Sequence, residues 1–163
     1  MAAAQAKEKF QAGDFAGAAT LFEQAAAEVG PENLAALRTN IGACFVQMGQ
    51  FADAVAQYKM AIELEPASYE AHRMCAVCHK SLNERVEAMA AVNEALKLQE
   101  GGLEALKLKA VLCIEEGEGS MALGLSTIEA VLADPAHDTG SLAIRALYYL
   151  KSHQVDKAVS AQG

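Results

Sequence analysis

The sequence predicts an all-α chain of stacked antiparallel helix pairs. Three observations carry that prediction. Small residues recur every 34 positions: Gly42, Ala76 and Ala110; Gly49, Asn83 and Gly117; Ala54, Ala88 and Ala122. Between them the apolar residues keep helical spacing, as in Leu37, Ile41, Cys44, Phe45 and Met48. Hydrophobic residues make up 53% of the 163, with only three prolines and no tryptophan, so there is material for a core and little punctuation for strands. Alanine, the best helix former, is abundant.

Each pair can be read in order. Residues 1–31 hold a first pair that turns at Gly13-Asp14-Phe15 and continues with Ala18, Phe22 and Ala25. Residues 35–68 hold a second, which turns at Gly49, resumes with Phe51, Ala54, Val55, Tyr58, Ala61 and Ile62, and closes at Pro66. Residues 69–102 repeat the scheme with Ala76, Ala88, Val92 and Ala95. Residues 103–136 carry Ala110, Gly117 and Ala122, with a second helix out of phase from Gly124 to Glu129. A partial fifth unit, 139–163, offers Ala146 and Tyr149 in a first helix, then Val155 and Ala158 in a second. Ala18 to Ala54 and Ala122 to Ala158 span 36 residues, which predicts two-residue extensions at Val29-Gly30-Pro31 and at residues 134–137. The first unit starts inside its first helix and the fifth stops inside its second, the pattern of a piece of a longer protein or of an assembled subunit.

Ile41-Gly42-x2-Phe45, Ala54-x3-Tyr58, Ala61 and Pro66 resemble the tetratricopeptide repeat family. The resemblance covers nearly the whole chain and implies a single domain, a right-handed α-solenoid of about four units plus a partial fifth. It also implies a concave face lined by the first helix of each unit, where the family holds segments of other proteins.

The formal charge of −8 argues against nucleic acid and against an anionic membrane surface. No apolar run is long enough to suggest membrane insertion. The N-terminus has no basic start followed by an apolar stretch, so no secretory signal is expected. Four cysteines in that context read as reduced thiols, in a cytoplasmic setting or another cytosol-facing assembly such as the cilium.

Cys75-Ala76-Val77-Cys78-His79 spells the haem-attachment pattern C-x-x-C-H. In the repeat register, however, Cys75, Cys78 and His79 take the places of Ile41, Cys44 and Phe45, so they read as a core stripe. A zinc site would lack a fourth ligand, for which Cys113 is the only plausible donor. His72, His137 and His153 are scattered. Gly117-Glu118-Gly119 lacks the strand and lysine of a phosphate loop, and Glu115, Glu116 and Glu118 read as a solvated turn. No catalytic constellation, metal or cofactor is expected.

The concave positions implied by the resemblance include Lys7, Asn40, Arg73, Val77, Lys80, Lys107, Leu108, Val111 and Ile114. Val77, Leu108, Val111 and Ile114 read as an apolar floor free of helix packing, while Lys7, Arg73, Lys80 and Lys107 read as a cationic rim. An apolar peptide or amphipathic helix with some acidic residues fits such a lining. The carboxylate clamp of co-chaperone members is matched only at Asn40, the other positions being Ala3, Lys7, Glu70 and Met74. The expected function is therefore a non-catalytic adaptor or scaffold for another protein. The alternative is a structural subunit of a large ciliary, trafficking or chaperone-related assembly, using its outer faces and ends.

Overall fold

The structure, a computed structural model, describes residues 1–133 and 139–160, without the side chains of residues 31, 118 and 154–160. Among the described residues there are only helices, turns and bends. The chain divides into two compact units, Met1–Leu98 and Gln99–Gly163. The first holds α1 (Ala2–Gln11), α2 (Phe15–Glu28), α3 (Pro31–Gln47), α4 (Phe51–Leu64), α5 (Tyr69–Ser81) and α6 (Arg85–Leu98). The second holds α7 (Leu103–Glu116), α8 (Glu118–Ala133) and α9 (Thr139–Ser160).

In the first unit the helices pack as three hairpins, α1 on α2, α3 on α4 and α5 on α6, joined by the packing of α2 on α3 and of α4 on α5. Every hairpin turns at a residue with positive φ: Gly13 at 83°, Gly49 at 73° and Asn83 at 61°. Glycine enters that region without a Cβ penalty, and asparagine is the side chain that best tolerates it. Each stands seven residues after a small residue of the first helix, namely Ala6, Gly42 and Ala76. Local chemistry fixes the helix starts. The Asp14 carboxylate accepts from the Gly17 N–H at 2.9 Å, and the Ser68 hydroxyl accepts from the Ala71 N–H at 3.4 Å. Proline opens α3, where its missing N–H has no helical partner to lose.

The small residues mark where paired helices approach closely. A Cβ on Gly42 would lie 2.9 Å from the Tyr58 ring, and Tyr58 is wholly buried. Ile41, Cys44, Ala54, Cys75 and Cys78 fill the surrounding core. Thus Cys75, Cys78 and His79, at 3%, 0% and 5% exposure, are core residues, as the register predicts.

In the second unit two expectations need correction. Ala122 is exposed, and Gly124 takes the crossing position in its place. A Cβ on Gly124 would lie 2.8 Å from Ile114 Cγ1 and 3.0 Å from the Ala110 carbonyl oxygen. Only glycine permits that approach, so α8 is phased on Met121, Gly124, Ile128 and Val131, all buried. The two extra residues therefore fall inside this hairpin, between Ala110 and Gly124. Residues 134–137, where the extension was expected, lie outside the described residues.

The fifth unit shows no break before Val155 and Ala158. Instead α9 runs unbroken from Thr139 to Ser160. The turn position, seven residues after Ala146, is His153, and neither glycine nor proline occurs from Ser141 to Gln162. Nothing in that stretch interrupts the helical ladder. Val155 and Ala158 have side chains outside the described set.

Gly42→Val is expected to lower the unfolding free energy by about 1–3 kcal/mol, because a branched side chain would be driven into a buried ring. Urea unfolding followed by circular dichroism measures this.

Candidate functional site

One hollow in the first unit brings two of the expected site residues together. Lys7, Phe10 and Gln11 of α1, Phe22 of α2, and Asn40 and Ala43 of α3 line a cavity of about 220 Å3. Its floor is aromatic and fixed. Phe22 is 2% exposed, and Phe10 stands edge-on to Phe15 with centroids 5.2 Å apart and an interplanar angle of 70°. Its mouth is polar. Lys7 is exposed and Asn40 half-buried, so an ammonium and an amide stand above an apolar base. The combination can hold an apolar side chain while its neighbour's carboxylate or backbone meets Lys7 and Asn40. Sequence reasoning did not name Phe22 for this role, although it was visible as the aromatic of Ala18-x3-Phe22.

The other expected residues lie elsewhere. On α5, Arg73, Val77 and Lys80 are half-buried. Arg73 donates twice to the Glu70 carboxylate, at 2.9 and 2.6 Å, so much of its charge is answered within its own helix. In the second unit Leu108 and Val111 are half-buried on α7. Lys107 pairs with Glu104 one turn earlier and its side chain is 13% exposed. The cationic rim is thereby weakened at Arg73 and Lys107. Ile114 is a correction: it is 0% exposed and packs where α8 crosses at Gly124. It belongs to the interior of the second unit and is not groove lining.

The thiols are structural. Cys44, Cys75, Cys78 and Cys113 are free and buried. Burial pushes the Cys44 thiol up to about 11 and the Cys78 thiol, which also faces Cys75, up to about 12. Cys75 and Cys113 are raised for the same reason. His79 donates from Nδ1 to Glu84 at 2.6 Å, tying the end of α5 to the residue before α6. Among the described residues no group of three or more His, Cys, Asp or Glu could hold a metal ion. The His72 ring donates to the Pro66 carbonyl at 3.0 Å, the Glu116 carboxylate accepts from Ser120, and His153 lies on α9. His137 falls outside the described residues.

The tetratricopeptide repeat family profile matches residues 3–39 and again residues 45–112, together well over half of the chain. This chain is a tetratricopeptide repeat protein. The family's units are interaction modules for other proteins. No curated protein sequence matches the chain. Among solved structures, MamA is 19% identical with a TM-score of 0.79, over 95% of this chain and 88% of that one. A tetratricopeptide repeat protein from Parabacteroides merdae ATCC 43184 is 17% identical with a TM-score of 0.83, over 95% of this chain and 60% of that one. The first tetratricopeptide domain of Spaghetti (RPAP3), solved bound to the HSP90 peptide SRMEEVD, is 19% identical with a TM-score of 0.64, over 68% of this chain and 86% of that one. These likenesses establish the tetratricopeptide fold. Among the described residues no helix is long and apolar enough to cross a membrane.

The thiols give a pH signature. The folded chain keeps Cys44 and Cys78 protonated to about 11 and about 12, whereas the ordinary value is 9.0. Above that ordinary value the unfolded chain binds fewer protons than the folded one, so stability falls as pH rises. Urea unfolding is expected to show a plateau below pH 9.0 and then a decline toward about 11. The slope should approach about 1.4 kcal/mol per pH unit for each thiol that ionises only on unfolding.

Proposed function

We propose that this tetratricopeptide repeat protein is a non-catalytic adaptor that holds a segment of another protein in the hollow between α1, α2 and α3. The observation that carries this is the pocket itself, with the aromatic floor of Phe10 and Phe22 beneath the polar mouth of Lys7 and Asn40. Exposed Lys7 stands beside the half-buried Phe10, and a peptide with an apolar residue next to a carboxylate fits both. Support comes from the Spaghetti domain of the same fold, whose bound peptide is acidic. Only Asn40 matches the clamp of the co-chaperone members, so this chain would grip its partner with a different set of groups. In the first unit Arg73, Val77 and Lys80 extend the proposed contact surface along α5. In the second, Lys107, Leu108 and Val111 are further candidates on α7.

An acidic chain meeting an acidic segment gains from a local cation, since Lys7 raises the encounter rate and selects against basic partners. Burying one aliphatic side chain in the pocket contributes about 1.5–3 kcal/mol before ordering costs. A single such anchor gives weak, exchangeable binding, as suits an adaptor. The proposed location is cytosol-facing, where the four buried cysteines of the core would stay reduced.

The second reading, a structural subunit of a larger assembly, is favoured by Leu142, Tyr149 and Leu150 on α9, which are 44%, 55% and 65% exposed.

Affinity capture from the native source, with mass spectrometry of what is retained, separates the two. The Lys7→Glu, Asn40→Ala double variant is expected to lose specific partners by at least about tenfold, or 1.4 kcal/mol, with its helical circular dichroism intact. Unchanged recovery would refute the pocket as the binding site and leave the assembly reading.

A further inference from the structure

Along α9 two stripes separate. Ser141 and Ile144 face the core of the second unit, where Ile144 packs against Ala110, Ile128 and Val131. The opposite stripe, Leu142, Ala146, Tyr149, Leu150 and His153, is exposed, and its last four residues line one open hollow.

The repeat register says what normally lies on that stripe. Ala146 holds the place of Gly42, Ala76 and Ala110, all buried. At Gly42 the covering group is Tyr58 of α4, the second helix of the same hairpin. At Ala110 it is Gly124 of α8, whose Cβ position would touch the Ala110 carbonyl oxygen at 3.0 Å and Cys113 Cβ at 3.2 Å. Tyr149 holds the place of Cys113, which is 1% exposed. The surface that α9 leaves open is thus the one that a hairpin's second helix covers wherever the hairpin closes.

The sequence carries the spacing of a matching second helix. Ala158 stands twelve residues after Ala146, as Ala54 stands after Gly42 and Ala88 after Ala76. Ala54 and Ala88 are both wholly buried at their crossings. Yet residues 154–160 continue α9 as one helix. A straight helix holds positions 146 and 158 about 18 Å apart, so residues 154–160 cannot reach the stripe of their own α9.

We propose that two copies of this chain exchange this stretch, residues 154–160 of each lying on the Ala146, Tyr149 and Leu150 face of the other's α9. The interface is the hairpin packing already formed within each copy, made in trans about a two-fold axis. Such an exchange needs no new surface and closes on itself. It is independent of the pocket near Lys7.

Three measurements test it on the full chain. Light scattering with size-exclusion chromatography is expected to give twice the 17.1 kDa chain mass from micromolar concentrations upward; a monomer throughout overturns the proposal. Ala146→Cys with Ala158→Cys under mild oxidation is expected to give a covalent dimer. A link closed within one chain would mean that the hairpin folds in cis, and would overturn it. Tyr149→Glu with Leu150→Glu is expected to weaken the dimer at least about tenfold with helicity unchanged; an undiminished dimer overturns it. The cysteine pair keeps the proposal falsifiable if the charged variant fails to fold.

Discussion

The structure rests on how closely two helices of a hairpin can approach. In each closed hairpin the first helix places a glycine or alanine at the crossing, at Ala6, Gly42, Ala76 and Ala110. Seven residues later the backbone takes a positive φ and the chain reverses. The small residue sets the separation, and the left-handed residue sets which face of the second helix returns to it. A larger side chain at the crossing would push the backbones apart and expose the apolar stripes of both helices. The buried thiols, the tyrosine over Gly42 and the alanine-rich interior are all consequences of that short distance.

The same constraint shapes the candidate site. Because α1 and α2 close on small residues, Phe10 stays half-buried at the edge of the core beside the buried Phe22, and α3 completes the hollow with Asn40 and Ala43. The pocket is therefore positioned by packing between rigid elements rather than by a loop, which lowers the ordering cost for a ligand. Lys7 has alanines one turn before it on α1, whereas Arg73 and Lys107 each follow a glutamate by one turn on their own helices and are partly neutralised.

Much of the fold was legible because both halves of the hairpin rule are written in residue types. Small residues at fixed intervals and Gly or Asn at the turns identify the pairs, and the thiols of Cys75 and Cys78 follow as core by register alone. The fourth unit misled because Ala122 kept the familiar interval while Gly124, two residues on, could pack deeper. With no Cβ on Gly124, α8 sinks far enough to bury Ile114, a position that the family resemblance assigns to the open concave face. The ion pairs of Arg73 and Lys107 were readable as i, i+3 neighbours but not as a claim on those cations. Phe22 lies on a second helix, outside the first-helix positions that the resemblance implies for the concave face, and only the packing of α2 on α3 brings it to the pocket. The unbroken α9 ran against the expected fifth pair, because Ala146, Val155 and Ala158 keep the repeat's spacing while the turn position, His153, offers neither glycine nor asparagine.

The most direct test of the close-approach rule is a paired substitution in the fourth unit, read by urea unfolding. Gly124→Val should lower the unfolding free energy by about 2–3 kcal/mol, because the added carbons meet the Ala110 carbonyl and Ile114. Ala122→Val, at the exposed position two residues earlier, should change it by no more than about 0.5 kcal/mol. The opposite order, with Ala122 the sensitive site, would contradict the account.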